Sequence, residues 1–171
     1  MADLLTHILT GYIIGMLLGF RYDWIRAPHV TLVMIGAASP DLMRIDLVMP
    51  AALIEATLGI PFAWRPLHYL GGNLLVLLIG ALLIAPQWRK RAFLFLLVGA
   101  ASHHVLDLLL LSASAYSYPV LWPITEYHPP SGMVYRSTDR LPAVLALVVA
   151  GAVYLIHRRF RGARKPQVVD E

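Results

Sequence analysis

The sequence places a histidine and an aspartate one helical turn apart, at His103 and Asp107. Residues four positions apart lie on the same face of a helix, so the two side chains can share one metal ion. The same spacing also suits a simple hydrogen-bonded pair. His104 lies roughly 100° further round the helix, and we expect it to support the pair or to pack against its neighbours.

Three more side chains of these types, His7, Asp41 and His68, lie in or at the ends of apolar stretches. Ionisable groups are costly inside a bilayer, so those within membrane spans are functional candidates by default. Imidazoles and carboxylates together suit a divalent ion, zinc above all, with room for one or two ions. The alternative is that these groups pair with each other and hold helices together. The predicted ligands are His7, Asp41, His68, His103 and Asp107.

The elements that must position these residues are strongly apolar. Of 171 residues, 58% are hydrophobic and 14% are charged, whereas soluble domains have about 45–50% and about 25%. Five apolar stretches, 4–20, 29–50, 67–85, 92–111 and 141–156, approach the roughly 20 residues that cross a bilayer. We predict an all-α, polytopic membrane bundle of about five transmembrane helices. Because polar residues interrupt the second stretch, four spans plus a re-entrant or interfacial piece is the alternative.

Basic residues lie mainly at the ends of the apolar stretches, as at Arg89, Lys90 and Arg91 and again after residue 157. This distribution is typical of membrane anchoring, and we expect no nucleic-acid partner. With five spans, the positive-inside rule predicts a multi-pass protein of the cell membrane, with its N-terminus outside and its C-terminus in the cytoplasm. The membrane domain is predicted to cover 1–160, and a disordered basic cytoplasmic tail to cover 161–171.

Two further patterns concern packing. The longest connection, 112–140, is rich in proline and aromatic residues, which favours an ordered cap at the membrane interface. Gly11, Gly15 and Gly19 have the spacing of close helix packing.

In the long connection, Glu126 and His128 either reach over the site or face water.

These residues, in this order, resemble the YdjM-like membrane-bound metal-dependent hydrolases. The motifs that carry the resemblance are Thr6-His7 followed by Gly11; Ala38-Ser39-Pro40-Asp41-Leu42; Arg65-Pro66-Leu67-His68; Ser102-His103 through Asp107; and Leu121-Trp122-Pro123. That family in turn resembles the zinc-dependent phospholipase C superfamily and looks like its membrane-embedded relative. The resemblance implies one ion among Asp41, His68, His103 and Asp107, and a second ion between His7 and Asp107.

The function implied is hydrolysis of a phosphoester or related ester of a lipid or lipid-linked molecule through a metal-bound hydroxide. Asp41, His103 and Asp107 are the expected catalytic residues, with Asp41 holding or deprotonating the water. Two other classes stay open: an intramembrane ion or proton transporter and a non-catalytic membrane scaffold. A transporter predicts polar residues through the whole membrane thickness, whereas the inner halves of these stretches are almost purely apolar.

Overall fold

The computed structural model describes residues 3–163, and every regular element in that range is helical. The α-helices are α1 (Leu4–Arg21), α2 (Ala27–Ala38), α3 (Ala51–Leu58), α4 (Leu70–Leu82), α5 (Arg89–Leu108) and α6 (Leu141–Ala163). Short 3-10 helices cover Ser39–Leu47, Arg65–His68 and Pro86–Trp88. The predicted all-α bundle is confirmed. The predicted tail lies, from residue 164 onward, outside the described residues.

Three of the described helical stretches are long and apolar enough to cross a membrane: Leu4–Arg21, Pro86–Leu108 and Leu141–Phe160. Helix α4 is apolar but shorter. The second apolar stretch of the sequence is not one continuous helix, because α2 ends at Ala38 and a 3-10 helix follows. The second apolar stretch is therefore interrupted, as the alternative prediction stated. The orientation with the N-terminus outside stays a prediction.

The end of α2 follows from its local sequence. Pro40 has no backbone N–H, so it cannot donate to the preceding turn of the helix. The hydroxyl of Ser39 donates to the carbonyl of Gly36 over 2.8 Å, and the chain continues with 3-10 geometry. In the 3-10 pattern, the partner of the Ala37 carbonyl would be the N–H of residue 40, which proline lacks. The Ala37 carbonyl is thus available to a side chain from another helix.

Helix α2 lies between α1 and α5 and packs closely against both. A Cβ atom on Gly99 of α5 would lie 2.0 Å from the carbonyl oxygen of Val33 on α2. On the α1 side, a Cβ on Gly11 would lie 2.9 Å from the Cβ of Ala37. Only glycine permits such an approach of two helix backbones. The predicted close packing is confirmed at Gly11, and the helices that carry the candidate site are held together by it.

The long connection is ordered and folds over the ends of α4 and α5. The first turn of α4 is capped by this connection, since Leu70 N–H donates to Val120 O over 2.8 Å and Gly71 N–H donates to Trp122 O over 2.9 Å. At the end of α5, Gly132 N–H donates to the carbonyl of Leu108 over 2.7 Å. These bonds satisfy backbone groups that a helix end leaves without internal partners. The prediction of an ordered cap is confirmed.

Candidate metal centre

The five predicted ligands converge although they come from four different elements. His7 lies on α1, Asp41 and His68 lie on the two 3-10 helices that flank α3, and His103 and Asp107 lie on α5. None of the five is more than 4% exposed. They form two overlapping groups within which the potential ligand atoms lie within 4.8 Å of one another: His7, His103 and Asp107, and Asp41, His68 and His103.

The carboxylate of Asp107 lies among three imidazoles. Its Oδ2 atom is 3.1 Å from Nε2 of His68 and 3.4 Å from Nε2 of His103. Its Oδ1 atom is 3.4 Å from Nε2 of His7. The rings of His7 and His103 stack, with their centroids 3.6 Å apart. One negative charge therefore faces three histidine nitrogens in a buried space.

Backbone carbonyls at the end of α2 define which nitrogen of each ring carries the hydrogen. Nδ1 of His103 lies 2.8 Å from the Ala37 carbonyl, and Nδ1 of His68 lies 3.3 Å from the Pro40 carbonyl. A carbonyl only accepts, so both Nδ1 atoms must donate. In a neutral ring, Nε2 then presents a lone pair, as in metal-binding histidines whose other nitrogen is held by an outer partner.

These lone pairs point at another acceptor. Nε2 of His68 and Nε2 of His103 have no hydrogen-bond partner among residues 3–163, and both face the Asp107 carboxylate. With neutral rings, such facing acceptors are unfavourable unless a positive charge, either an added proton on an imidazole or a bound cation, lies between them. A divalent cation satisfies all of them together. The donor set and its geometry therefore fit a metal ion.

Asp41 offers one oxygen to the same space. Its Oδ1 atom accepts a hydrogen bond from Nε of Arg44 over 3.0 Å. Its Oδ2 atom is buried and lacks a hydrogen-bond partner within the part of the chain that the structure describes. The contact with Arg44 satisfies Oδ1 and leaves Oδ2 available to a ligand or a water molecule.

Two supporting groups complete the surroundings. Asn73 on α4 is buried, and its amide donates to the Ser39 hydroxyl over 2.9 Å, which ties α4 to the end of α2. Asn73 was not among the predicted residues, although a lone amide in an apolar helix is a usable signal. His104, predicted to support or to pack, contacts the Tyr118 hydroxyl through Nδ1 over 2.9 Å.

Tyr118 holds the long connection against the site. Its ring centroid lies 4.6 Å from that of His68. Burial raises the pKa of the Tyr118 phenol well above its usual range, and the nearby carboxylates of Asp107 and Asp41 raise it further. The phenol is therefore neutral and shares one hydrogen bond with Nδ1 of His104.

Tyr118→Phe is expected to destabilise the folded protein by about 1–2 kcal/mol, because His104 Nδ1 would lose its hydrogen-bond partner in a buried position. Thermal unfolding in detergent measures the effect. Tyr127→Phe is the matched control, since Tyr127 is 62% exposed. Equal melting temperatures for the two variants would show that the hydroxyl of Tyr118 contributes nothing to stability.

A cavity of about 230 Å³ reaches the centre from the side of the long connection. Asp107 forms part of its wall, and most of the other lining residues carry hydroxyl groups. The hydroxyl of Ser131 is buried without a hydrogen-bond partner among the described residues, which leaves it available to a bound molecule. Glu126 and His128 are exposed, and His128 Nδ1 contacts the Ser117 carbonyl over 2.6 Å. The hydroxyl-bearing lining residues are Ser112, Tyr116, Ser117, Tyr118, Ser131 and Ser137.

Membrane-length apolar helices and a buried histidine–aspartate cluster define the class: a polytopic helical membrane protein with a candidate metal centre. The model of the YdjM inner membrane protein family matches residues 1–167, and the chain belongs to that family. No curated protein and no solved structure gives a significant match to the chain. The predicted YdjM family and the predicted membrane location are confirmed, and the metal-dependent hydrolase activity stays a prediction.

Proposed function

We propose that the protein is a membrane-embedded, metal-dependent hydrolase that cleaves a phosphoester or related ester of a lipid or lipid-linked substrate. One observation carries the proposal: the Nε2 lone pairs of His68 and His103 and the carboxylate of Asp107 face each other in a buried space. Groups that merely held helices together would be expected to pair donors with acceptors. With neutral rings, this arrangement instead leaves a position for a cation.

The donor set suits zinc. It consists of imidazole nitrogens and carboxylate oxygens, and the chain has no cysteine. Asp41, His68 and His103 would hold one ion. His7 and Asp107 would hold a second ion, with Asp107 lying between His7 and His68.

Different residues would have different roles in hydrolysis. A bound divalent ion would supply positive charge and lower the pKa of a water molecule from 15.7 to about 7. Asp41 belongs to the same ligand group, and its carboxylate would hold that water or accept a proton from it, while Arg44 bonds to Oδ1. The hydroxyl of Ser131 would donate to an oxygen of the substrate in the adjoining cavity. The cavity has room for a polar head group, and the apolar part of a lipid would stay in the bilayer.

The test begins with metal content, measured by elemental analysis of protein purified in detergent. The wild-type protein is compared with the double variant Asp41→Ala, His103→Ala. The matched control is Asp46→Ala, His128→Ala, which removes an exposed acid and an exposed histidine. We expect near-stoichiometric zinc or manganese in the wild type and the control, and background metal in the site variant.

Hydrolysis assays on phosphoester lipids complete the test, with the same three proteins. We expect activity in the wild type and the control only. A folded wild-type protein that binds no metal would overturn the metal centre. A metal-loaded protein that releases no product from any phosphoester or ester lipid would overturn the hydrolase and favour a transporter or a scaffold.

A further inference from the structure

The connection between Asp41 and His68 presents an apolar surface that no other described part of the chain covers. We call residues 47–60 the surface segment; it contains α3. Leu47 is 83% exposed and Val48 is 89% exposed. The other large apolar side chains that are more than half exposed in this segment are Leu53, Leu58 and Ile60. Such a cluster in a folded protein marks a contact surface.

The segment is nearly free of charge. Glu55 is its only charged residue, and the carboxylate of Glu55 accepts a hydrogen bond from the backbone N–H of Phe62 over 2.9 Å. The Trp64 indole donates to the Met49 carbonyl over 2.8 Å and closes the segment into a compact unit. A segment with many exposed apolar side chains and a single carboxylate suits an interface, where the apolar side chains can face lipid and the carboxylate can face water.

The position of the segment identifies that environment. His7 lies near the start of α1, and Asp107 lies near the end of α5, so the metal centre lies toward one end of the bundle. Helix α1 has 18 residues, which span about 27 Å, close to the thickness of the hydrocarbon core. The end of the bundle that carries the centre therefore lies near a membrane surface. The surface segment leaves the bundle there after α2 and returns there before α4.

The flanking residues have the composition of a membrane interface. Phe62 and Trp64 form an edge-to-face pair with centroids 4.8 Å apart, directly after the segment. Tryptophan is enriched where the hydrocarbon core meets the head groups. Short apolar elements beside such residues lie in the plane of the interface.

We propose that the surface segment inserts its apolar side chains into the lipid leaflet on the side of the metal centre. The partner is the lipid itself, because the exposed side chains of the segment are apolar and the segment leaves and re-enters the bundle at the end that lies near a membrane surface. The segment joins the 3-10 helices that carry Asp41 and His68, so insertion would hold both ligands at a fixed depth. This inference does not depend on the proposed hydrolase activity.

The test uses the absence of cysteine from the natural sequence. Val48→Cys and Leu58→Cys are labelled with a nitroxide in vesicles of phosphatidylcholine and phosphatidylglycerol. Electron paramagnetic resonance then compares collisions with oxygen, which enters lipid, and with a water-soluble nickel chelate. Leu145→Cys on α6 is the lipid-facing reference, and Glu126→Cys in the long connection is the water-facing reference.

We expect both segment labels to resemble the label at residue 145, with frequent oxygen collisions and few nickel collisions. Nickel accessibility equal to that at residue 126 would show that the segment lies in water and would overturn the proposal. Protection from both reagents would show a protein partner, such as a second copy of the chain, and would overturn it as well. Because both residues are exposed, the labelled variants are expected to keep the wild-type elution volume in size-exclusion chromatography.

Discussion

Asp107→Asn is expected to reduce the bound metal from near-stoichiometric to background while the protein stays folded. The carboxylate lies 3.1–3.4 Å from Nε2 of His7, His68 and His103. An amide has nearly the same size, carries no charge, and can donate hydrogen bonds to imidazole lone pairs. We expect a loss of affinity of roughly 100-fold or more, since residues that only support ligands account for about 10–100-fold. Competition with a metal chelator measures the affinity.

Asp46→Asn is the control for this substitution. The Asp46 side chain is exposed, and its Oδ1 atom accepts from the backbone N–H of Ala51 over 2.9 Å, away from the cluster. The control is expected to bind metal as the wild type does. If Asp107→Asn kept wild-type affinity, Asp107 would be a structural partner of the histidines and the metal centre would need other ligands.

Gly99→Ala is expected to cost several kcal/mol of stability and to disrupt the metal centre. The added Cβ would lie 2.0 Å from the Val33 carbonyl oxygen and 2.6 Å from the Ala37 backbone nitrogen. Both are backbone atoms, so α2 and α5 must move apart; overpacking of this kind costs about 1–3 kcal/mol or more. Separation would lengthen the 2.8 Å contact between His103 and the Ala37 carbonyl. Thermal unfolding and metal content report the two effects.

Gly151→Ala is the same chemical change on α6, where a Cβ would meet no described atom within 4 Å. Alanine favours a helix by up to about 1 kcal/mol over glycine, so this control is expected to be neutral or stabilising. The two substitutions should therefore act in opposite directions. A similar melting temperature for both variants would contradict the close approach of α2 and α5.

The residues of the candidate metal centre were predictable because charge inside an apolar stretch is costly. His103 and Asp107 were identified by their spacing, and His7, Asp41 and His68 by their residue types within or beside apolar runs. The structure brings all five together. The membrane-length helices were also predictable, since their apolar composition dominates a hydropathy profile.

The groups that orient the ligands were not predictable from residue types. The hydropathy pattern predicted one apolar stretch over 29–50. Apolar composition alone does not show that Pro40 lacks the backbone N–H that would continue the helix. The carbonyls of Ala37 and Pro40 bind histidines from other elements. Backbone carbonyls are identical in every residue, so their partners depend on how helices pack, which a single sequence does not specify.

The end of α2 also affects how much positive charge the centre can hold. Helix α2 ends at Ala38 and helix α5 ends at Leu108, so both helices direct their carboxyl ends toward the histidines and aspartates. The aligned peptide dipoles of a helix place about half a negative elementary charge at its carboxyl end. The backbone therefore adds to the negative charge of Asp41 and Asp107. The orientation of these two helices thus supplies part of the negative charge that would balance a buried cation.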